Sequence, residues 1–169
     1  MRQSTTGLDM RTRILLVTAI VFLGSRSASG QDTSFAAMQQ RGRQAMGVDQ
    51  YTSIHRFDAL PDGGRIELQR DKDDSIGVAA IRAHIRGIAS AFKSGDFSTP
   101  AFVHLKMVPG ASVMAAKRPA IVYEARDLPR GAELRMRTSD REALAAIHEF
   151  MAFQRGEHHA GGVTGHPLW

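Results

Sequence analysis

The chain has 169 residues, a formal net charge of +5 and no cysteine. Without a thiol there are no thiolate metal sites, thiol nucleophiles or disulfide exchange, so a soft ligand has to be histidine or methionine. Four of the 22 Lys and Arg and one of the 17 Asp and Glu lie in the first thirty residues, leaving 18 against 16, a balance of +2 that gives no electrostatic reason to expect nucleic acid or an anionic membrane as a partner.

Residues 1–30 read as a signal peptide. Arg2, Arg11 and Arg13 form a positive start, "ILLVTAIVFLG" is an apolar stretch short for a bilayer span, and Ala28-Ser29-Gly30 offers small residues for cleavage before Gln31. The expected location is therefore periplasmic or secreted. Residues 31–157 form one domain's worth of chain, which the pattern opens with a helix over Phe35 to Met46.

Two stretches then read alike, "ALPDGGRIELQRDKDDSIGVAAIRAHI" and "DLPRGAELRMRTSDREALAAIHEFM". Each has a Leu-Pro turn with glycine, a strand of alternating apolar residues, a polar break and a helix containing Ala-Ala-Ile. A further strand precedes each turn, "YTSIHRFDA" and "AIVYEAR", so each half predicts strand, turn, strand, helix. Ile66 and Leu68 match Leu134 and Met136 as the buried face, and Asp74 or Ser75 and Ser139 or Asp140 can cap the helices. The expected fold is α+β: a two-layer sandwich in which a duplicated ββα unit makes a four-stranded antiparallel sheet with helices on one face. The halves are 46–94 and 118–157, joined by an insertion over 95–117, with a flexible tail over 158–169. In the insertion, "AFVHLKMV" is compatible with an extra edge strand or a helix, and "ASVMAAK" with a short helix.

Near the end, "AIHEFMAFQRGEHH" begins like a zinc-protease helix and then fails, because Ala152 stands where the second imidazole belongs. There is also no Gly-x-Ser-x-Gly elbow, phosphate-binding glycine loop or dinucleotide fingerprint. No catalytic residue is assigned, and a non-enzymatic role is the expectation. Other polar residues sit in unexpected places. His55 shares a strand face with Tyr51 and Phe57. His84 borders the stripe Val78, Ile81, Ile85, Ile88 and Phe92, beside Ala80, Gly87 and Ala91, where close packing is expected. Gln154 and His158 continue the apolar side of the last helix, whereas His148 lies on its polar edge. Buried polar groups need partners, so those of Gln154 and His158 must come from elsewhere in the chain.

The stretches "MGVDQYTSIHRF", "DGGRIEL", "IRAHIRGIASAFKSGDFSTPAFVH", "VPGASVM" and "AIHEFMAFQRGEH" resemble a family of small exported bacterial proteins of unestablished function. Its members sometimes carry the label aspartate carbamoyltransferase. That label does not transfer: the chain is short for that two-domain enzyme and lacks its Ser-Thr-Arg-Thr phosphate loop. The resemblance implies that Met46, His55, His84, His104, Met114, His148 and His158 sit within the family's motifs.

Imidazole and thioether together suit a soft metal. The expected function is binding of copper through Met46, His55, His84, His104 and His158. The alternative is a binding or assembly module in which the insertion and the uncovered sheet face meet an organic ligand or a partner protein.

Overall fold

The computed structural model describes residues 28–162; the signal-peptide reading falls almost wholly on residues outside that range. Nine elements follow one another: α1 (Ala28–Met46), β1 (Ser53–Leu60), β2 (Gly63–Arg70), α2 (Ser75–Ser94), α3 (Ser98–His104), α4 (Ala111–Ala116), β3 (Val122–Leu128), β4 (Gly131–Arg137) and α5 (Arg141–Glu157). Single 3₁₀ turns precede β1 and β3. Among the described residues no helix is long and apolar enough to cross a membrane.

The four strands form one antiparallel sheet in the order β1-β2-β4-β3. Alternation puts Phe57, Ala59, Ile66, Leu68, Ala132, Leu134 and Met136 on one face, where all are buried. The register sets Phe57 against Ile66 and Ile66 against Leu134, so the apolar rows stack across the sheet. The other face is a charge ladder. Arg65 holds Asp58 at 2.5 Å, and Glu124 binds both Arg126 and Arg137 at 3.0 Å. The Glu124 pairs are exposed and add little stability, whereas Asp58 is buried and needs Arg65 as its partner.

Each hairpin is followed by its helix, and each helix crosses to the other hairpin. Helix α2 lies over β3 and β4, and α5 over β1 and β2. Side chains tie down both crossings. Arg82 donates to the carbonyls of Gly131 and Leu128, and Arg86 pairs with Asp127 at 2.7 Å. From α5, His148 bonds the Leu60 carbonyl at 2.8 Å and Arg155 donates to that of Phe57 at 2.6 Å. Gly64 lets α5 come close to β2, since a Cβ there would lie 2.7 Å from Ile147.

Local chemistry starts both helices where expected. Asp74 accepts the Gly77 amide at 3.0 Å, and Asp140 accepts those of Glu142 and Ala143. The stripe Ile81, Ile85, Ile88 and Phe92 of α2 is buried, as are Ile147, Phe150 and Met151 of α5.

One open alternative is settled and two local expectations are corrected. The segment "AFVHLKMV" is no edge strand: Pro100 sits in the first turn of α3, where its missing N–H costs nothing, and the helix ends with Leu105 in the left-handed region at φ 52°. Met107 therefore lies beyond the helix, 71% exposed. Gly87 is not packed, since a Cβ there would meet nothing within 4 Å. The start of the tail is fixed rather than free, because Gly161 bridges Arg56 in parallel and accepts the Phe57 amide at 3.0 Å. Residues 163–169 lie outside the described range.

Candidate functional site

A pocket of about 90 Å³ opens between the sheet and the helices on the β1–β2 side. Its floor is Phe57, Ile66 and Leu68, and its walls include Ile85, Ile88 and Phe92 of α2 and Phe150 of α5. Met46, His55, His84, His104 and His158 all line it. These five come from the end of α1, β1, α2, the end of α3 and the cap of α5. Among the described residues, no Asp, Glu, Lys or Arg side chain lines it.

The rings run in a row across the pocket. His55 and His158 have centroids 6.0 Å apart, and His158 and His104 are 5.0 Å apart, edge to face. His158 also stacks on Phe57 at 5.4 Å. His84 sits at the far end, hydrogen-bonded to the Ala45 backbone and close enough to His55 for their charges to repel.

Hydrogen bonds fix which nitrogen of three rings carries the proton. Ser53 spends its hydroxyl proton on the Asp49 carbonyl at 2.8 Å, so its oxygen accepts from His55 Nε2–H at 3.1 Å. Gln50 clamps His158 from both sides, donating Nε2–H to the His158 carbonyl at 2.9 Å and accepting Nδ1–H at 2.8 Å. Gln154 accepts from His104 Nε2–H at 3.1 Å through its Oε1. Among the described residues the opposite nitrogen of each ring, His55 Nδ1, His158 Nε2 and His104 Nδ1, has no hydrogen-bond partner. The last is buried, 3.7 Å from Glu157 Oε2.

Burial also holds the rings neutral. It pulls His55 down to about 4, with His84 adding to the effect, and His158 down to about 3, with His104 and His55 adding to it. His84 and His104 are lowered by the same cause. Near neutral pH the pocket therefore presents uncharged imidazoles.

The other sequence candidates lie elsewhere. His148 is held at Leu60, away from the pocket, and Met114 is fully buried in the general core. Of the two glutamines that hold the rings, one was missed and one was legible. Gln50 has no sequence signal, because its role depends on the 3₁₀ turn meeting the end of α5. Gln154 was legible as a buried polar group in need of a partner, and the partner is His104. Among the described residues, no set of three or more His, Asp or Glu side chains stands ready at coordinating distance.

Comparison with family models, with curated proteins and with solved structures finds no match for this chain. Its function is therefore argued from its own side chains.

Proposed function

We propose that this chain is an exported, non-enzymatic protein that binds a soft monovalent metal ion, cuprous copper, in the pocket lined by Met46, His55, His84, His104 and His158. The observation that carries this reading is the protonation pattern. Three neutral rings each have one nitrogen tied by a hydrogen bond and the other left as a lone pair, beside a thioether, in a pocket that no charged side chain of the described residues enters. Metal-binding histidines are held in this way, the second nitrogen fixing ring and tautomer.

Size and charge narrow the ion. A space of about 90 Å³ is smaller than the roughly 150 Å³ that holds benzene, so it suits an ion or a ligand of a few atoms. A dication would enter an apolar pocket with no carboxylate to offset it, whereas a monocation carries half that burden, and thioether prefers the cuprous state. Binding requires the rings to turn so that their free nitrogens close on the ion.

The test is competition for copper(I) against a chromophoric chelator, with a thermal melt of chelator-stripped protein before and after one equivalent of metal. A ligand that binds only the folded state raises the melting temperature. Failure to compete together with an unchanged melt removes the proposal.

A further inference from the structure

The two edges of the sheet are finished differently. At the middle of β1 the chain uses its own outward groups: the Phe57 amide donates to the Gly161 carbonyl at 3.0 Å, and the Phe57 carbonyl accepts from Arg155 at 2.6 Å. On β3 the two-residue turn at Pro129 and Arg130 makes Leu128 and Gly131 a hydrogen-bonded pair. Alternation then aims the N–H and C=O of Tyr123, Ala125 and Asp127 away from β4. Among the described residues none of those backbone groups has a hydrogen-bond partner. Such an edge is a template for another strand.

The sequence of β3 says which strand fits. Laid antiparallel on itself about Ala125, it sets Tyr123 against Asp127 and Ala125 against its own copy as the pairs that exchange hydrogen bonds, so every outward donor and acceptor of both copies is used. The pairs between them, whose side chains stand closest, are Glu124 against Arg126 and Val122 against Leu128 on the open face. Val122 is 56% exposed and gains apolar cover there. Sliding one copy by two residues in either direction puts Glu124 against Glu124 or Arg126 against Arg126 and leaves outward groups bare, so charge selects one register. Glu124 also holds Arg126 and Arg137 of its own chain at 3.0 Å, and a second copy continues that alternating row. On the helix face, Arg86 reaches this edge already paired with Asp127 at 2.7 Å. Since α2 covers two strands, a second copy would bring its own α2 alongside at about 9–10 Å, the distance at which helices pack. We propose that β3 is a dimerisation edge: two copies pair β3 with β3 about a two-fold axis at Ala125 and join their sheets into one. The proposal does not depend on the metal reading, because no residue of β3 lines the histidine pocket.

The test is sedimentation velocity of purified, metal-free protein from low micromolar to near-millimolar concentration, with amide hydrogen exchange at both ends of the range. The expected result is a reversible monomer–dimer equilibrium half-dissociated at roughly 10–100 µM, since one strand pair is smaller than a permanent interface. Exchange of the Tyr123, Ala125 and Asp127 amides should slow at high concentration. Ala125→Pro is expected to remain monomeric with an unchanged melting temperature at low concentration, because the N–H it removes points away from β4. Charge reversal supplies a readout that does not rely on proline. Glu124→Lys and Arg126→Glu each place like charges opposite one another in a homodimer and should be monomeric alone, whereas an equimolar mixture should dimerise, each variant then facing the opposite charge. A protein that stays monomeric throughout overturns the proposal and leaves the edge to a strand of another protein. A dimer that persists in folded Ala125→Pro also overturns it, by placing the contact on another surface, and a mixture that stays monomeric overturns the pairing about Ala125.

Discussion

His104 and His158 meet edge to face with ring centroids 5.0 Å apart, although one ends α3 and the other follows α5. Each points a hydrogen-bonded nitrogen at a different glutamine, Gln154 for His104 and Gln50 for His158. The glutamines thus act as positioning residues for rings that reach the pocket from opposite sides.

If that positioning matters for metal, removing Gln50 should hurt nearly as much as removing a ligand. Gln50→Leu is expected to weaken copper(I) affinity about 10–100-fold by freeing the tautomer of His158. Met46→Leu keeps the apolar volume and should also weaken it. Competition titrations of both variants check this, and unchanged affinity in both contradicts the proposed ligand set.

Acid should loosen the metal-free protein. His55 and His158 bind their protons at about 4 and about 3 when folded, well below the ordinary histidine value of about 6.5. Between those values the unfolded chain holds more protons than the folded one, so stability is full near neutral pH and falls as pH drops below about 6.5. Each ring contributes up to about 1.4 kcal/mol per pH unit, and the loss levels off below the folded value. Denaturant melts from pH 7 to pH 4 measure the slope, which His55→Phe should make shallower.

His148 offers a control within the same helix. Its bond to the Leu60 carbonyl holds α5 on the first hairpin, so His148→Ala should cost about 0.5–1.5 kcal/mol of stability and leave copper affinity unchanged. A large loss of affinity at unchanged stability would place His148 in the site.

Core truncation reads the crossing of the helices. Met151 is 0% exposed and packs where α5 meets Gly64 of β2. Met151→Ala should cost about 2–5 kcal/mol. Hydrogen exchange should then quicken together in β1–β2 and in β3–β4, because the two hairpins share one sheet. Loss confined to the first hairpin contradicts a single cooperative unit.

Much of the sheet was legible because strands announce themselves by alternation. Ile66 and Leu68, with Leu134 and Met136, gave the buried face, and Leu-Pro turns with glycine gave both hairpins. Caps were legible because Asp74 and Asp140 act within their own turn. Which helix covers which hairpin was not legible, since Arg82 and His148 reach carbonyls far away in sequence. The same limit applies to the site. Each histidine could be named as a polar residue in an apolar setting, but their meeting depends on five segments closing together.

The crossing of α5 onto the first hairpin has a consequence for synthesis. During translation the ribosome releases the first hairpin and α2 well before α5, and the rear wall of the histidine-lined pocket arrives only with Phe150 and His158. A nascent or prematurely stopped chain ending before those residues would expose Phe57, Ile66 and Leu68 to water and offer no closed pocket. Such fragments would expose apolar surface of the kind that chaperones and proteases recognise.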